Sequence, residues 1–265
     1  MATMLAFLTT DAAISKPMLQ QALLKSVQES FNMISVDGDT STNDMALVMA
    51  NAKAGNPEIT AEGPDYGAFL EALSLVSRTL AREMVRDGEG ASKFIEVKVH
   101  GAHSDVDAVT LSKSVITSSL VKTAFFGEDA NWGRVLAALG YSGAPFDPDN
   151  VTIEFSSAAG SIRLMNHGTP VVFDEEAAAK ILAEREVTVN VELYQGEGGA
   201  VAWGSDLTYE YVRINLHFHP TSFSPSSDRS LSFSFILFSS PIPSSSSFSL
   251  KSSLSLLFMP AWNPR

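Results

Sequence analysis

The sequence predicts an α/β protein of the α+β kind, in which mixed sheets are layered with helices. Segments with apolar residues three or four positions apart, typical of helices, alternate with segments of period two, typical of strands. The best strand segment is followed by a glycine-rich turn and another apolar run, which indicates a hairpin and argues against a parallel barrel. Of the 265 residues, 45% are hydrophobic, which is enough for a substantial core.

Residues 1–101 are predicted to form the first part of this layered structure. Apolar or alternating runs predict strands at residues 4–8, 34–36, 45–49 and 94–100. A helix is predicted over residues 16–31, with Pro17 in its first turn. Its apolar face is expected to consist of Leu19, Leu23, Val27 and Phe31. The clearest helix covers residues 67–85, with a stripe formed by Phe69, Leu73, Val76, Leu80 and Met84.

Residues 102–215 are predicted to form a second α+β domain, with a boundary near residues 101–103. Helices are expected from Ser104 or Asp105 to about residue 120, over residues 130–139, and after Asp174, where acidic residues favour the positive end of a helix. Strands are expected at residues 151–155, 187–194 and 200–203, the last two as a hairpin. A short apolar strand is expected just before residue 127.

Residues 216–265 differ in composition from the rest of the chain. They contain 17 Ser, 7 Phe and 6 Pro among 50 positions, and we expect them to be disordered. One hypothesis is that they are a translated non-coding stretch, such as a retained intron. The alternative is a genuine disordered extension.

Composition also excludes several functions. The formal charge is −12, and residues 1–215 alone carry −14, so we expect no nucleic-acid partner. No apolar run approaches the roughly 20 residues that span a bilayer, so we expect no membrane partner. The sequence contains no cysteine, which excludes disulfides, thiolate metal sites and a cysteine nucleophile.

Three polar segments are candidates for chemistry. Residues 37–44 are rich in Asp, Ser and Thr and predict a self-hydrogen-bonded turn, because they lack the spacing of a calcium loop. Glu89 lies between two glycines that leave room for a ligand, but from this context alone a solvated loop carboxylate is favoured. Residues 127–134 offer Asp129 or Asn131 as a helix cap, and capping and packing are favoured there over ligand binding.

Thr3 is the remaining candidate. A threonine hydroxyl becomes a nucleophile when a base takes its proton, and cleavage between Ala2 and Thr3 would supply the new α-amino group as that base. Taken alone, the residue type strongly favours an ordinary position at the start of a strand over a nucleophile.

Several segments in register resemble the ornithine acetyltransferase family, also called the ArgJ or bifunctional glutamate N-acetyltransferase family. The residues that carry the resemblance lie at 1–12, 35–44, 87–93, 120–135 and 203–215. Residues 1–12 resemble the family's autoprocessing junction. The resemblance covers essentially all of residues 1–215 and implies a DmpA/ArgJ-like fold, of which this chain is the β-chain portion.

The resemblance implies a specific reaction. The precursor would cut itself between Ala2 and Thr3, and Thr3 would accept the acetyl group of N-acetylornithine and pass it to glutamate in arginine biosynthesis. No cofactor or metal is implied, although some members use acetyl-CoA as an acetyl donor. The implied partner is an α chain from the same precursor, with two α and two β chains in a heterotetramer.

Three site residues follow by motif matching: Thr3 as nucleophile and substrate contact, Glu89 in the D-G-E-G segment as a substrate-binding carboxylate, and Asn215 as a substrate-binding amide. The family's oxyanion-hole Thr-Gly pair and a substrate-binding lysine belong to the α chain, which this sequence does not include. At the other end, Leu216 departs from the family pattern. Pro220 stands where the family has a terminal Ser or Thr.

Two alternatives stay open. The chain could be a related N-terminal-nucleophile aminopeptidase, or an inactive fragment that lacks its α chain. The tail's composition suggests a eukaryotic source, in which plant members of the family work in the chloroplast and fungal members in the mitochondrial matrix.

Overall fold

Helices and strands are interspersed along the chain, which confirms the predicted mixed α/β class. The computed structural model describes residues 4–216 and 235–238. The helices are α1 (Lys16–Gln28), α2 (Pro64–Arg86), α3 (Asp105–Thr117), α4 (Ser119–Phe126), α5 (Trp132–Gly140), α6 (Glu175–Ala183) and α7 (Tyr209–Leu216). The strands are β1 (Leu5–Thr10), β2 (Ile34–Ser35), β3 (Met45–Ala50), β4 (Phe94–Ala102), β5 (Thr152–Ser157), β6 (Gly160–Asn166), β7 (Thr169–Pro170), β8 (Glu186–Glu192), β9 (Gly198–Ser205) and β10 (Phe235–Phe238). Among these described residues, no helix is both long enough and apolar enough to cross a membrane.

The chain divides into two units, and each is described by itself. Among the described residues, the first unit contains 33–39 and 81–216, and the second contains 4–32, 40–80 and 235–238. The boundary predicted near residues 101–103 falls inside the first unit, where β4 continues to Ala102. Of the predicted tail, Leu216 and β10 are described, and the rest lies outside the described residues.

The second unit is built on a three-stranded parallel sheet with the order β10–β1–β3. Strand β1 confirms the prediction at residues 4–8, and Ala6, Leu8 and Thr10 on one of its faces are buried. It pairs with β3 from Leu5 opposite Met45 onwards. The strand that follows the nucleophile position is therefore the middle strand of this sheet.

Two helices of this unit were predicted, and one of them turns a different face to the interior. The expected apolar residues Leu19, Leu23 and Val27 of α1 are only half-buried, whereas Ala22 and Ser26 are buried. Small side chains allow close approach to a neighbouring backbone, and the Ser26 hydroxyl donates to the carbonyl of Leu73 at 3.4 Å. On α2, the burial of Phe69, Leu73, Val76 and Leu80 confirms the predicted stripe up to Leu80, whereas Met84, its last member, is only half-buried.

The first unit contains a seven-stranded mixed sheet with the order β2–β9–β4–β8–β5–β6–β7. The predicted alternation of β4 is confirmed, since Ile95, Val97 and Val99 are all 0% exposed. Strand β4 runs parallel to β8 and antiparallel to β9. It therefore lies between them and forms the centre of the core.

The predicted hairpin between β8 and β9 is wrong, because β4 separates the two strands. The glycines of the connecting segment serve a different purpose. A Cβ on Gly196 would lie 2.4 Å from the carbonyl oxygen of Ala102, and one on Gly198 would lie 2.3 Å from the carbonyl carbon of Ser104. Glycine is needed because the chain crosses closely over the end of β4.

Side-chain caps begin helices α3 and α6 of the first unit, and of these the cap at Ser104 was predicted. The Ser104 hydroxyl accepts from the N–H of Asp107 at the start of α3, and the Asp174 carboxylate accepts from two amides at the start of α6. A capping oxygen satisfies amides that have no partner within the helix.

The strand predicted just before residue 127 is wrong, because this segment forms helix α4. Val121, Ala124 and Phe125 are buried, and their spacing of three and four places them on one helical face. A short apolar run does not distinguish a strand from a buried helix by periodicity alone. Lys122 is also buried on this helix, and its contacts bear on the site described next.

Candidate active site

The expected nucleophile precedes strand β1. Ala2 and Thr3 lie outside the described residues, so their placement stays a prediction. The next residue, Met4, donates its N–H to Asp44 Oδ1 at 2.9 Å, and its carbonyl accepts from the N–H of Met45 at 2.9 Å. The start of β1 is thus tied to the start of β3.

The loop that carries Glu89 is shaped by a glycine. Gly90 has a φ of +65°, in the left-handed region that residues with a Cβ rarely adopt. A Cβ there would lie 2.7 Å from the backbone nitrogen of Tyr211 and 2.9 Å from Glu210 Cβ. Glycine therefore allows the loop to approach the beginning of helix α7.

Glu89 and Asn215 are brought together in the first unit. The amide Nδ2 of Asn215 donates to Glu89 Oε2 at 3.0 Å and to the carbonyl oxygen of Tyr211 at 3.0 Å. Glu89 is half-buried and Asn215 is exposed. The two substrate-binding residues implied by the family resemblance therefore form one hydrogen-bonded pair.

A buried carboxylate fastens the chain that follows this loop. Asp206 is 3% exposed and accepts from the N–H of Ser92 at 2.9 Å, from the N–H of Lys93 at 3.0 Å, and from the Ser92 hydroxyl. A carboxylate accepting backbone N–H groups makes charge-assisted bonds, which are stronger than neutral ones. Two residues later, the Thr208 hydroxyl donates to the carbonyl of Gly90 at 2.7 Å. These bonds connect the Glu89 loop to the segment that leads into α7.

Helix α7, which carries Asn215, was not predicted. Its residue Tyr211 donates its hydroxyl to Asp37 Oδ2 at 3.1 Å. Burial and the negative charge of Asp37 raise the pKa of Tyr211 to about 12, so the phenol keeps its proton. The spacing of Tyr211 and Asn215, four positions apart, could have placed these two residues on one helical face, but the sequence gives no signal for the contact with Asp37.

Lys122 was also not predicted as part of the site. Its side chain is 3% exposed, and its Nζ donates to the carbonyl of Val36 at 2.7 Å and to the carbonyl of Ser205. These residues directly precede Asp37 and Asp206. Burial lowers the pKa of Lys122 to about 8, and the carboxylates of Asp206 and Asp37 partly offset that effect.

The sequence matches proteins of one known family. The model of the ArgJ family matches residues 1–220. The arginine biosynthesis bifunctional protein ArgJ of Symbiobacterium thermophilum is 56% identical over 215 residues, which are 81% of this chain and 52% of that protein. The protein of the same name from Geobacillus stearothermophilus is 50% identical over 218 residues, 82% of this chain and 52% of that one.

This chain belongs to the ArgJ family.

A solved member of the ArgJ family has the same fold. The crystal structure of arginine biosynthesis bifunctional protein argJ from Bacillus halodurans matches with a TM-score of 0.77 at 46% identity. The match covers 82% of this chain and 100% of the solved chain. It confirms the mixed α/β fold that the sequence predicts. In contrast, this chain spans about half the length of the curated ArgJ relatives that it matches.

The Glu89–Asn215 pair is chemically suited to an amino-acid ligand. An ionised carboxylate has about four acceptor positions, so one bond from Asn215 leaves Glu89 able to accept from an ammonium group. The Asn215 amide also keeps its own carbonyl oxygen as an acceptor. The hydrogen bond to Asn215 therefore leaves Glu89 with acceptor positions that are still open.

Residues 37–44 form the predicted turn. Asp37 Oδ1 accepts from the N–H of Asp39 at 3.0 Å, and Asp44 Oδ2 accepts from the N–H of Ser41 at 3.1 Å. Such bonds are typical of Asx turns. Within residues 4–216, no group of three potential ligands could hold a metal ion.

Residues 127–134 cap and pack a helix, as the sequence favours. The Asn131 side chain accepts from the N–H of Arg134 at 3.2 Å at the start of α5. Trp132 packs against the core, and Glu128 accepts from the Nζ of Lys93 at 3.1 Å. Residues 127–134 therefore also contact Lys93, which directly precedes strand β4 and follows the Glu89 loop.

Proposed function

We propose that this chain is the β chain of an acetyltransferase that moves an acetyl group from N-acetylornithine to glutamate in arginine biosynthesis. The observation that carries the proposal is the 3.0 Å hydrogen bond between Asn215 and Glu89. It joins the two substrate-binding residues implied by the family resemblance, in a chain whose curated relatives are named arginine biosynthesis bifunctional proteins.

The first half-reaction acetylates Thr3. After cleavage between Ala2 and Thr3, the Thr3 hydroxyl oxygen attacks the acetyl carbonyl carbon while its own α-amino group takes the hydroxyl proton. The bond between that carbon and the ornithine nitrogen then breaks. The proton passes to the departing amine, ornithine leaves, and an acetyl ester remains on Thr3.

The second half-reaction transfers the acetyl group. The amine of glutamate attacks the ester carbonyl carbon, the ester bond breaks, and the Thr3 oxygen regains a proton as N-acetylglutamate leaves. In the first half-reaction, Glu89 binds the free side-chain ammonium group of N-acetylornithine by charge-assisted hydrogen bonds, and Asn215 orients the substrate carboxylate. Thr-Gly residues of an α chain stabilise the negative charge of each tetrahedral intermediate.

An α chain as partner is supported by the lengths of the related proteins. The matched residues are 52% of the Symbiobacterium thermophilum relative but 100% of the solved Bacillus halodurans chain. A separate chain of about this length is what self-cleavage ahead of Thr3 would leave. The proposed assembly is a heterotetramer of two α and two β chains, which native mass spectrometry of the cleaved protein would measure.

The test uses a fused precursor, in which the part of the Symbiobacterium thermophilum relative outside the match is joined in frame ahead of Met1. We expect a cut between Ala2 and Thr3, read by N-terminal sequencing, and transfer of acetyl from N-acetylornithine to glutamate. Thr3→Ala should abolish both, whereas Thr60→Ala, at an exposed position, should change neither. Release of the N-terminal residue from peptide substrates, without acetyl transfer, would instead support an aminopeptidase.

The same precursor tests the donor and the need for a cofactor. We propose that transfer requires no added cofactor or metal, since the acyl carrier is Thr3 itself. Formation of N-acetylglutamate from acetyl-CoA and glutamate would show that acetyl-CoA is a second donor. Loss of N-acetylornithine-dependent transfer after dialysis against a chelator would contradict the metal-free mechanism.

A plastid location is proposed if the source is a plant, with the mitochondrial matrix as the alternative. The support is the composition of residues 216–265, which resembles translated non-coding sequence of a eukaryote. Sequencing the transcript tests the origin of residues 216–265. A spliced message that encodes them in frame would contradict the hypothesis of a retained intron.

A further inference from the structure

Helix α7 carries Asn215 but has little hydrophobic contact of its own. It has eight residues, none of them buried, and Tyr209 and Leu216 are 83% and 69% exposed. A helix this short is marginal in water without tertiary contacts. Its position in the first unit must therefore depend strongly on polar contacts and on the edge-to-face packing of Tyr209 against Phe126 at 5.4 Å.

Tyr211 takes part in most of these polar contacts. Its N–H donates to the Thr208 hydroxyl at 3.1 Å, and that hydroxyl donates to the carbonyl of Gly90 beside Glu89. Its own carbonyl accepts from Asn215 Nδ2 at 3.0 Å. The same Asn215 nitrogen donates to Glu89, so Tyr211 is linked directly to Asn215 and, through the Thr208 hydroxyl, to the backbone next to Glu89.

The Tyr211 hydroxyl has a well-anchored partner. Asp37 Oδ2 accepts it at 3.1 Å, and Asp37 Oδ1 accepts from the N–H of Asp39 at 3.0 Å. The preceding residue, Val36, is held through its carbonyl by the buried Nζ of Lys122. The Asp37 carboxylate therefore offers a fixed point to which the side chain of Tyr211 ties the helix.

We propose that Tyr211 is a positioning residue for substrate binding. By holding α7 on the Asp37 carboxylate, it sets Asn215 and, through Asn215, the orientation of the Glu89 carboxylate. This role in substrate binding rests on the proposed function, in which Glu89 and Asn215 bind the substrate. Tyr211 itself acts through Asn215 and takes no part in bond making or breaking.

The kinetic test compares Tyr211→Phe with Tyr209→Phe in the cleaved precursor. Tyr211→Phe removes only the hydroxyl, and we expect KM for N-acetylornithine to rise about tenfold with kcat within about twofold, the pattern of lost binding. Tyr209→Phe removes a hydroxyl from the same helix and keeps the ring contact with Phe126, so it should leave both constants unchanged. A lower kcat at constant KM for Tyr211→Phe would overturn the positioning role.

A double-mutant cycle separates positioning from a general loss of stability. If Tyr211 acts through Asn215, the variant Tyr211→Phe/Asn215→Ala should have the same KM as Asn215→Ala alone. Fully additive effects of the two changes would overturn the proposal, because they would mean that the two residues act independently.

A second measurement does not depend on activity. Amide hydrogen exchange over residues 212–216 of the chain 1–265 should be about threefold faster in Tyr211→Phe than in Tyr209→Phe. Equal exchange in the two variants would overturn the anchoring role. A precursor without acetyl transfer would refute the proposed function, while the exchange experiment would still decide whether Tyr211 holds α7.

Discussion

Asn215 and Glu89 are 126 positions apart in the chain and are joined by a hydrogen bond of 3.0 Å from Nδ2 to Oε2. The contact depends on two local features of the first unit. Gly90 lets the Glu89 loop approach α7, and Thr208 ties that loop to the start of the helix. An amide donor beside a carboxylate fixes the direction of the carboxylate without neutralising it. This is the arrangement that a binding site for an ammonium group needs.

The first prediction concerns the charge of this pair. Glu89→Gln keeps the shape and removes the negative charge, so a cationic substrate loses its charge-assisted partner. We expect KM for N-acetylornithine to rise about 10- to 100-fold in the cleaved precursor, as for a lost hydrogen bond to a charged group. Steady-state kinetics measures this change.

Glu197→Gln is the matched control, because Glu197 is an exposed loop carboxylate of the same unit and should leave KM unchanged. Asn215→Ala leaves the Glu89 charge in place and should raise KM less than Glu89→Gln. An unchanged KM in Glu89→Gln would contradict the assignment of Glu89 to substrate binding.

The second prediction concerns the chain by itself. In the proposed mechanism the oxyanion donors belong to the α chain, and each missing donor costs about 10²–10³ in rate. The purified chain 1–265 is therefore expected to form no detectable N-acetylglutamate by mass spectrometry, while circular dichroism shows it folded. Turnover comparable to that of the fused precursor would contradict the need for an α chain.

Much of the fold could be predicted because the signals are local. The alternation of β4, the stripe of α2 and the cap at Ser104 all depend on residues that are close together in the sequence. The pairing of β8 and β9 could not be predicted in this way. Strand β4 lies between them, and it precedes both by about a hundred positions. The glycines after β8 indicate close packing as readily as a hairpin, and the sequence does not distinguish the two.

The site shows the same limit. The resemblance placed Glu89 and Asn215, but the residues that hold them were not predicted. Tyr211 meets Asp37 across 174 positions, and Lys122 meets the carbonyl of Val36 across 86. Lys122 was hidden because its helix looks like a short apolar strand, in which a lysine would be expected to point into solvent.

The third prediction tests the close approach at Gly90. Gly90→Ala places a Cβ 2.7 Å from the Tyr211 nitrogen at a φ of +65°. We expect the free energy of unfolding to fall by about 1–3 kcal/mol, because a strained backbone is combined with a clash. Urea denaturation of the chain 1–265 measures it.

Gly67→Ala is the control for this change. Gly67 lies in α2 with nothing within 4 Å of an added Cβ, so alanine should stabilise the helix by about 0.5–1 kcal/mol. An unchanged or higher free energy of unfolding in Gly90→Ala would contradict the need for glycine at this position.

The fourth prediction concerns pH and Lys122. Burial lowers the pKa of Lys122 from its ordinary value of 10.5 to about 8 in the folded chain, while the unfolded chain keeps the ordinary value. Between these two values the unfolded state binds more protons, so the contribution of Lys122 to stability rises with pH from about 8 to 10.5. The full rise corresponds to about 3 kcal/mol.

Lys122→Met isolates this contribution from other titrating groups. Its free energy of unfolding should lie below that of the wild type, since the carbonyls of Val36 and Ser205 lose their buried donor. The difference between the two proteins should widen as pH increases from 8 to 10.5, because only the wild type releases the Lys122 proton on folding. Lys113→Met, on the surface of α3, should show no such pH dependence. A constant difference between wild type and Lys122→Met across this range would mean that Lys122 titrates near its ordinary pKa.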